Sequence, residues 1–239
     1  MSPSQVGLCI VVPVLDEASA LRAQLEALAP LRAHGAQVVV VDGGSVDGSL
    51  AIAAAVADIA ITAPRGRARQ MNAGARAGTG DVLLFLHADT ALPPDAHHLI
   101  ARHLALGNDW GRFDVRIDSP RMLLAVVSWM MNERSHLSGI VTGDQGIFVR
   151  RELFERVGGF ATLPLMEDVA LSKVLRGEGR PARIRDRVTT SARRWETRGI
   201  WRTITLMWRI RWEYFFGVDP AALAVRYGYA PASPASPGE

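Results

Sequence analysis

The sequence predicts an α/β fold, a mostly parallel sheet flanked by helices, on three observations. Short apolar runs alternate with stretches of helical periodicity through the first ninety residues, the pattern of βαβ units. Those runs are apolar throughout, as strands covered on both faces must be. Just past the ends of three of them stand Asp16 and Glu17, then Asp42 and Asp47, then His87 and Asp89. That is the edge at which open α/β sheets bind ligands. Stability alone gives no reason to gather like charges there, so the cluster reads as a site.

Residues 8–12 are a buried strand, and Pro13 is tolerated because it stands at the strand's end. Leu21, Leu25 and Leu28 repeat at helical spacing, with Gly35 ending that helix. Residues 38–41 form a second strand, residues 42–45 a turn, and an alanine-rich helix follows through Ile52 and Val56. A short strand at 59–62 and a helix over 69–77 lead to a fourth strand at 82–86. Beyond Asp89 the pattern loosens. Residues 93–106 predict a helix with proline at its start, 113–117 a strand, and 122–132 a helix followed by a loop over 135–146. A strand at 147–149, a short helix at 151–157 closed by Gly158 and Gly159, and a helix at 165–176 come next. The last clear element is a tryptophan- and arginine-rich helix at 200–216, and residues 230–239 are expected to be a disordered tail.

These elements make one domain over residues 1–229, with a nucleotide-binding half at about 8–90, an acceptor half at about 91–196 and an amphipathic helix at about 198–217. With 49% hydrophobic and 21% charged residues the composition is that of an ordinary globular protein able to bury a core. The single cysteine, Cys9, lies in an apolar run and cannot close an internal disulfide, which favours a reduced, cytoplasmic setting. The first seven residues have no signal-peptide pattern, and no apolar stretch approaches the roughly 20 residues of a membrane span. Between Arg176 and Arg211 eleven arginines face three acids, a basic cluster suited to phosphate or anionic lipid, or simply a solvated surface.

His87 and Asp89, two apart on an extended chain, project to one face and can address one divalent ion, Mg²⁺ or Mn²⁺. An aspartate there can equally cap the next helix. The turn after the second strand fits neither G-x-G-x-x-G nor the P-loop spelling, which sets aside dinucleotide and P-loop sites. Asp47 suits the capping of the following helix, whereas Asp42, at the strand end, suits a nucleoside. Glu167 and Asp168 either decorate a helix N-terminus or supply a general base.

Taken in order, these segments resemble family-2 glycosyltransferases with the GT-A fold. The resemblance rests on Val11-Val12-Pro13-Val14-Leu15-Asp16-Glu17, Val41-Asp42-Gly43-Gly44-Ser45-Val46-Asp47-Gly48, Gly66-Arg67-Ala68-Arg69-Gln70, Gly80-Asp81-Val82 through Asp89, Met166-Glu167-Asp168, and Arg194-Trp195, spanning residues 8–196. The His-Ala-Asp spelling at 87–89, with Gly143-Asp144-Gln145-Gly146, is similar to a small bacterial single-domain subgroup. The resemblance implies an inverting transfer of a sugar from a nucleotide-diphosphate donor, with UDP as the expected nucleotide, to a small-molecule or lipid acceptor. It implies that Pro13, Glu17, Asp42, Arg69 and His87 bind the donor, that Asp89 ligates the metal, and that Asp168, beside Glu167, is the catalytic base. Asp144, Gln145, Arg194 and Trp195 would face the acceptor. Where the family's motif has a first aspartate this chain has His87, and Ser191 replaces the glutamine three residues before Arg-Trp, which argues against a processive synthase. A degenerate nucleotide-sugar binding protein and a sugar-1-phosphate nucleotidyltransferase are the alternatives. The latter would want a glycine- and lysine-containing loop where Leu15-Asp16-Glu17-Ala18 stands.

No nucleic-acid partner is expected. Ile204, Trp208, Trp212 and Phe215 form one stripe of the 200–216 helix with Arg202 and Arg209 off it. A core or subunit contact is the commoner use of such a stripe. The expectation here is peripheral contact with the inner face of a membrane, or a homodimer.

Overall fold

The computed structural model describes residues 6–229, so the expected tail at 230–239 lies outside the described residues. The chain lays down strand β1 (Leu8–Val14), helices α1 (Ala18–Glu26) and α2 (Ala29–Ala33), β2 (Gln37–Asp42), α3 (Ser49–Val56), β3 (Ile59–Thr62), α4 (Arg67–Ala77) and β4 (Val82–Phe85). Then follow β5 (Thr90–Ala91), α5 (Ala96–Ala105), β6 (Trp110–Asp118), α6 (Met122–Ser138), a 3₁₀ turn (Gly143–Gln145), β7 (Ile147–Arg150), α7 (Arg151–Arg156) and α8 (Glu167–Glu178). The C-terminal part adds β8 (Ala182–Ser191), α9 (Arg193–Arg198), α10 (Ile200–Phe215) and α11 (Pro220–Tyr227).

One eight-stranded sheet runs in the order β3-β2-β1-β4-β7-β6-β8-β5. The first four strands are parallel, as the apolar runs predict, and so are β6 and β8, but β7 runs antiparallel to both its neighbours and β5 to β8. The parallel character therefore belongs chiefly to the nucleotide half. Every residue of β1 is buried, because alternate side chains enter two separate apolar layers. Ile10, Val12 and Val14 pack with Leu21, Leu25 and Leu28, whereas Cys9 and Val11 pack with Met71, Ala75 and Phe85. Gly74 lets α4 lie directly on the sheet, since a Cβ there would collide with Val11 Cγ1. The Cys9 thiol is pushed up to about 11 by burial, against the opposing charge of Arg151, and stays protonated. Pro13 pairs with Val41 on one side, and on the other β4 has already ended opposite Val11, so no donor is missed.

Several boundaries differ from the sequence expectation for identifiable reasons. The helix expected to run to Gly35 is broken in two, because Pro30 occupies the first turn of α2. Pro93 and Pro94 lie outside α5, which starts behind Asp95. The loop expected at 135–146 is helical as far as Ser138, because polar residues of α6 point inward. Asn132 fastens β6 through both Val115 backbone groups (2.8 and 2.9 Å), and the Ser128 hydroxyl accepts from the Ile117 N–H (3.0 Å). Strand β8 and helices α9 and α11 were not expected at all.

A buried ionic network ties β6 to β8. Asp114, 6% exposed, accepts from Arg112, itself 1% exposed, and from Arg183 at 3.0 Å; Arg183 also reaches Glu133 of α6 at 2.6 Å. The network sits where the register jumps between Phe113 and Asp114, so it pins a bulge in β8. Burial pushes the Arg112 guanidinium below its ordinary range and Asp114 opposes that shift.

Candidate active site

Strand ends and loops at the carboxyl edge of β1 and β4 open onto a cavity of about 970 Å³. Pro13, Val14 and Glu17 line it from β1, the first residues of α4 from the side, and His87, Ala88 and Asp89 from the end of β4. Arginines dominate the polar lining: Arg65, Arg67, Arg69, Arg193, Arg194 and Arg198, against only Glu17 and Asp89. Such a surface accommodates a multiply charged anion.

The local sequence builds this edge tightly. The backbone leaves β1 through Asp16, held at φ 53°, whose N–H donates to Ser45 Oγ and whose Oδ1 accepts from the Val46 N–H, both at 2.9 Å. Asp47 bonds the first turn of α3 through Ser49 and also accepts from the Ala18 N–H at 2.8 Å, so one carboxylate caps two helices. Gln70 donates to the Val14 and Val41 carbonyls, each at 2.8 Å, locking α4 across the ends of β1 and β2. Asp42 is 1% exposed; its Oδ1 accepts from Gly44 and Ser45, while its Oδ2 is buried with no partner among the described residues.

Behind His87 the cavity leads into a recess of about 60 Å³ that shares Arg67, His87 and Arg194 with it. Asp144, Glu167 and Asp168 converge there from the 3₁₀ turn and from α8. His87 Nδ1 lies 3.1 Å from Asp144 Oδ1, and the Gly143 N–H donates to Asp168 Oδ2 at 2.8 Å. Gly143 is required by packing, since a Cβ would collide with His87 Nε2. Met166, just before the two acids, is held at φ 68°, a conformation that stores strain in a non-glycine residue. Burial would push the Asp144 carboxyl up, but the hydrogen bond and charge of His87, with Arg194 and Arg67, outweigh it and hold it well below the usual range. Glu167 moves the other way, raised by burial and by the adjacent Asp168. Burial alone would lower Arg67, yet Tyr229, Glu167, Asp144 and Asp168 hold it above its ordinary value.

Of the residues singled out from the sequence, Pro13, Glu17, Arg69, His87, Asp89 and Arg194 line the cavity, and Asp144, Glu167 and Asp168 line the recess. Asp42 lies under the turn, outside the lining. Gln145 and Trp195 are not brought to either space. Gln145 is fully buried, with its Oε1 accepting from the Thr142 N–H at 3.2 Å, and Trp195 packs in the core. Residues not singled out include Arg193, which grips both oxygens of Glu17 at 2.7 and 2.8 Å, and Tyr227, which accepts from Arg194. Arg67 and Arg193 are spelled as ordinary basic residues, and only tertiary packing marks them.

The Asp89 carboxylate accepts from the Thr90 hydroxyl at 3.4 Å, and no arginine closes an ion pair on it among the described residues. One free carboxylate beside an anion-binding wall is a donor set that suits a hard divalent ion completed by phosphate oxygens. His87, engaged with Asp144 and abutting Gly143, is not free in the same way.

Residues 9–122 match the family model described as Glycosyl transferase family 2. No curated protein matches the chain. Among solved structures, the chain is similar to a mannosyltransferase from Pyrobaculum calidifontis in complex with GDP-Man and Mn²⁺, at 23% identity and a TM-score of 0.65, over 96% of this chain and 67% of that one. It is similar to S. aureus TarS 1-349 in complex with UDP-GlcNAc at 15% identity and a TM-score of 0.62, over 77% of this chain and 58% of that one. A glucosyl-3-phosphoglycerate synthase from Mycobacterium tuberculosis, in complex with Mn²⁺, UDP and glucosyl-3-phosphoglycerate, shares 18% identity at a TM-score of 0.57, over 77% of this chain and 71% of that one. The chain thus spans less than two thirds of the TarS structure. Residues 9–122 are thus similar to glycosyl transferase family 2, and the chain carries a GT-A fold.

Proposed function

We propose that the protein is an inverting glycosyltransferase that moves a sugar from a nucleotide-diphosphate donor, a UDP-sugar, to a small-molecule or lipid acceptor. The observation that carries this reading is the cavity wall of six arginines facing one free carboxylate, Asp89, at the strand edge of a family-2 fold. The nucleotide-bound, Mn²⁺-bound neighbours support it.

In this reading Pro13 and Glu17 hold the nucleoside end, and Asp42 supports that end from under the turn by holding the Gly44 and Ser45 N–H groups. Arg67, Arg69 and Arg194 neutralise the diphosphate, and Asp89 holds Mg²⁺ or Mn²⁺. When bound, that ion stabilises the charge of the departing diphosphate. Asp168 takes the proton of the acceptor hydroxyl as its oxygen attacks the anomeric carbon and the bond from that carbon to phosphate oxygen breaks. The Gly143 N–H fixes the Asp168 carboxylate in place. The His87–Asp144 pair holds the junction between cavity and recess, and Glu167, raised by burial and by the adjacent Asp168, lies buried beside the base.

A panel of nucleotide-sugars screened by thermal shift with Mn²⁺ should single out one donor, which the protein then hydrolyses slowly only when metal is present. Binding without metal-dependent hydrolysis would point instead to a nucleotide-sugar binding protein. Release of pyrophosphate from a sugar-1-phosphate and a nucleoside triphosphate would point to a nucleotidyltransferase.

The lipid-acceptor form draws support from α10. Trp201, Trp208, Trp212 and Phe215 are 63–75% exposed rather than core, and Arg198, Arg202 and Arg209 flank them. Apolar side chains framed by arginine match an anionic membrane interface. Among the described residues no helix is long and apolar enough to cross a membrane. Flotation with anionic liposomes should carry the protein to the top of the gradient, and Trp208→Ser with Trp212→Ser should leave it at the bottom. A dimer in sedimentation with no lipid binding would assign the face to a second copy.

A further inference from the structure

We propose that His34, His97 and His98 form a binding site for a borderline divalent transition metal of the Zn²⁺ class, joining the end of α2 to the first turn of α5. His97 and His98 stand 63 and 64 positions after His34, and none of the three lines the cavity or the recess. Their rings cluster closely: centroids are 3.9 Å apart for His97 and His98, 4.2 Å for His34 and His97, and 5.8 Å for His34 and His98. One ligand nitrogen from each lies within 4.8 Å of the others.

The protonation pattern fits a metal. His34 Nδ1 lies 2.7 Å from the Pro30 carbonyl, which can only accept, so Nδ1 carries the proton and the lone pair of the neutral ring is on Nε2. A ring nitrogen donating to a backbone carbonyl is the usual second contact of a ligating histidine. His97 has both ring nitrogens buried and without a hydrogen-bond partner among the described residues. An apolar or purely structural histidine would leave that cost unmet, whereas coordination through one nitrogen meets it.

The donor set also chooses the ion. Three imidazoles with no carboxylate suit Zn²⁺, Ni²⁺ or Cu²⁺ and not Mg²⁺ or Ca²⁺, so this site does not compete for the hard cation assigned to Asp89. Tetrahedral Zn–N bonds of about 2.0–2.1 Å set the nitrogens roughly 3.3 Å apart, a small closure from the present spacing. His34 and His98 are exposed, which leaves water to complete the coordination. Bound metal would clip the end of α2 to the first turn of α5.

The test uses the full chain after chelation, titrated with Zn²⁺ in a calorimeter and with Co²⁺ in a spectrophotometer. One equivalent should bind, Co²⁺ should give the visible absorption of a tetrahedral ion, and the unfolding temperature should rise. His34→Ala and His98→Ala change exposed side chains and leave the core intact; each should weaken Zn²⁺ binding by roughly tenfold or more and remove the Co²⁺ band. Asp89→Ala should leave both signals unchanged. Equal Zn²⁺ affinity in the His34→Ala/His98→Ala double variant, or loss of the Co²⁺ band in Asp89→Ala, would overturn the proposal.

Discussion

Asp168→Asn should lower kcat by roughly 10²–10⁴-fold while leaving donor binding nearly unchanged, the expected loss when a general base is removed. The substitution is nearly isosteric. An asparagine Oδ1 can still accept from the Gly143 N–H, now at 2.8 Å, so the start of α8 and the 3₁₀ turn keep their places. What is lost is the capacity to take a proton. Because Asp168 lies in the recess rather than along the arginine wall, nucleotide affinity measured by calorimetry should be retained. Asp89→Ala should give the complementary result: donor binding that no longer strengthens on adding Mn²⁺, with turnover lost as well. Intact turnover of the true donor and acceptor in both variants would sink the assignment.

Asp114→Ala should destabilise the protein by about 3–5 kcal/mol, the usual cost of leaving a buried charge uncompensated. Arg112 is 1% exposed, and Asp114 is its ion-pair partner, while Arg183 would keep Glu133 alone. For a chain of this size each kcal/mol moves Tm by about 2–4 °C, so thermal unfolding should show a drop on the order of 10 °C. Asp109→Ala is the control. Its partner Arg150 is 40% exposed and Asp109 itself 56%, so that pair should contribute about 0–1 kcal/mol. Equal effects from the two substitutions would refute a special role for the buried network.

The difference between these two sites explains what could be read from the residues. In the nucleotide half, β1 to β4 are short apolar runs bounded by Gly, Pro and Asp, and burial on both faces leaves no other pattern available to them. Strand β8 escaped because its inward residues, Ala182, Ile184, Val188 and Thr190, skip a step at the bulge, and three arginines and an aspartate stand among them. The end of α6 read as a loop because Asn132 and Ser135, polar by type, are buried and Asn132 is spent on β6. Helix α11 was not expected either, although its start is marked by Asp219 at the N-cap, accepting from the Ala221 N–H, and by Pro220 in the first turn. The carboxylates of the candidate site were visible because strand ends gather them. Arg193 and Tyr227 were not, since nothing local distinguishes an arginine that reaches Glu17 from one in solvent. The histidine cluster was hidden likewise, two of its members adjacent and the third 63 residues upstream of them.

The grip of Arg193 on Glu17 joins positions 176 residues apart, and α9 and α11 supply the far wall of the cavity. A ribosome therefore emits the strands of the nucleotide half long before the wall that completes it. Chains fold from the N-terminus as they emerge. The nascent protein passes through a stage with the sheet edge and its acids already formed, but without Arg193, Arg194 and Arg198 to offset them. On the proposed reading, a donor's diphosphate meets its full arginine wall only once α9 and α11 are in place.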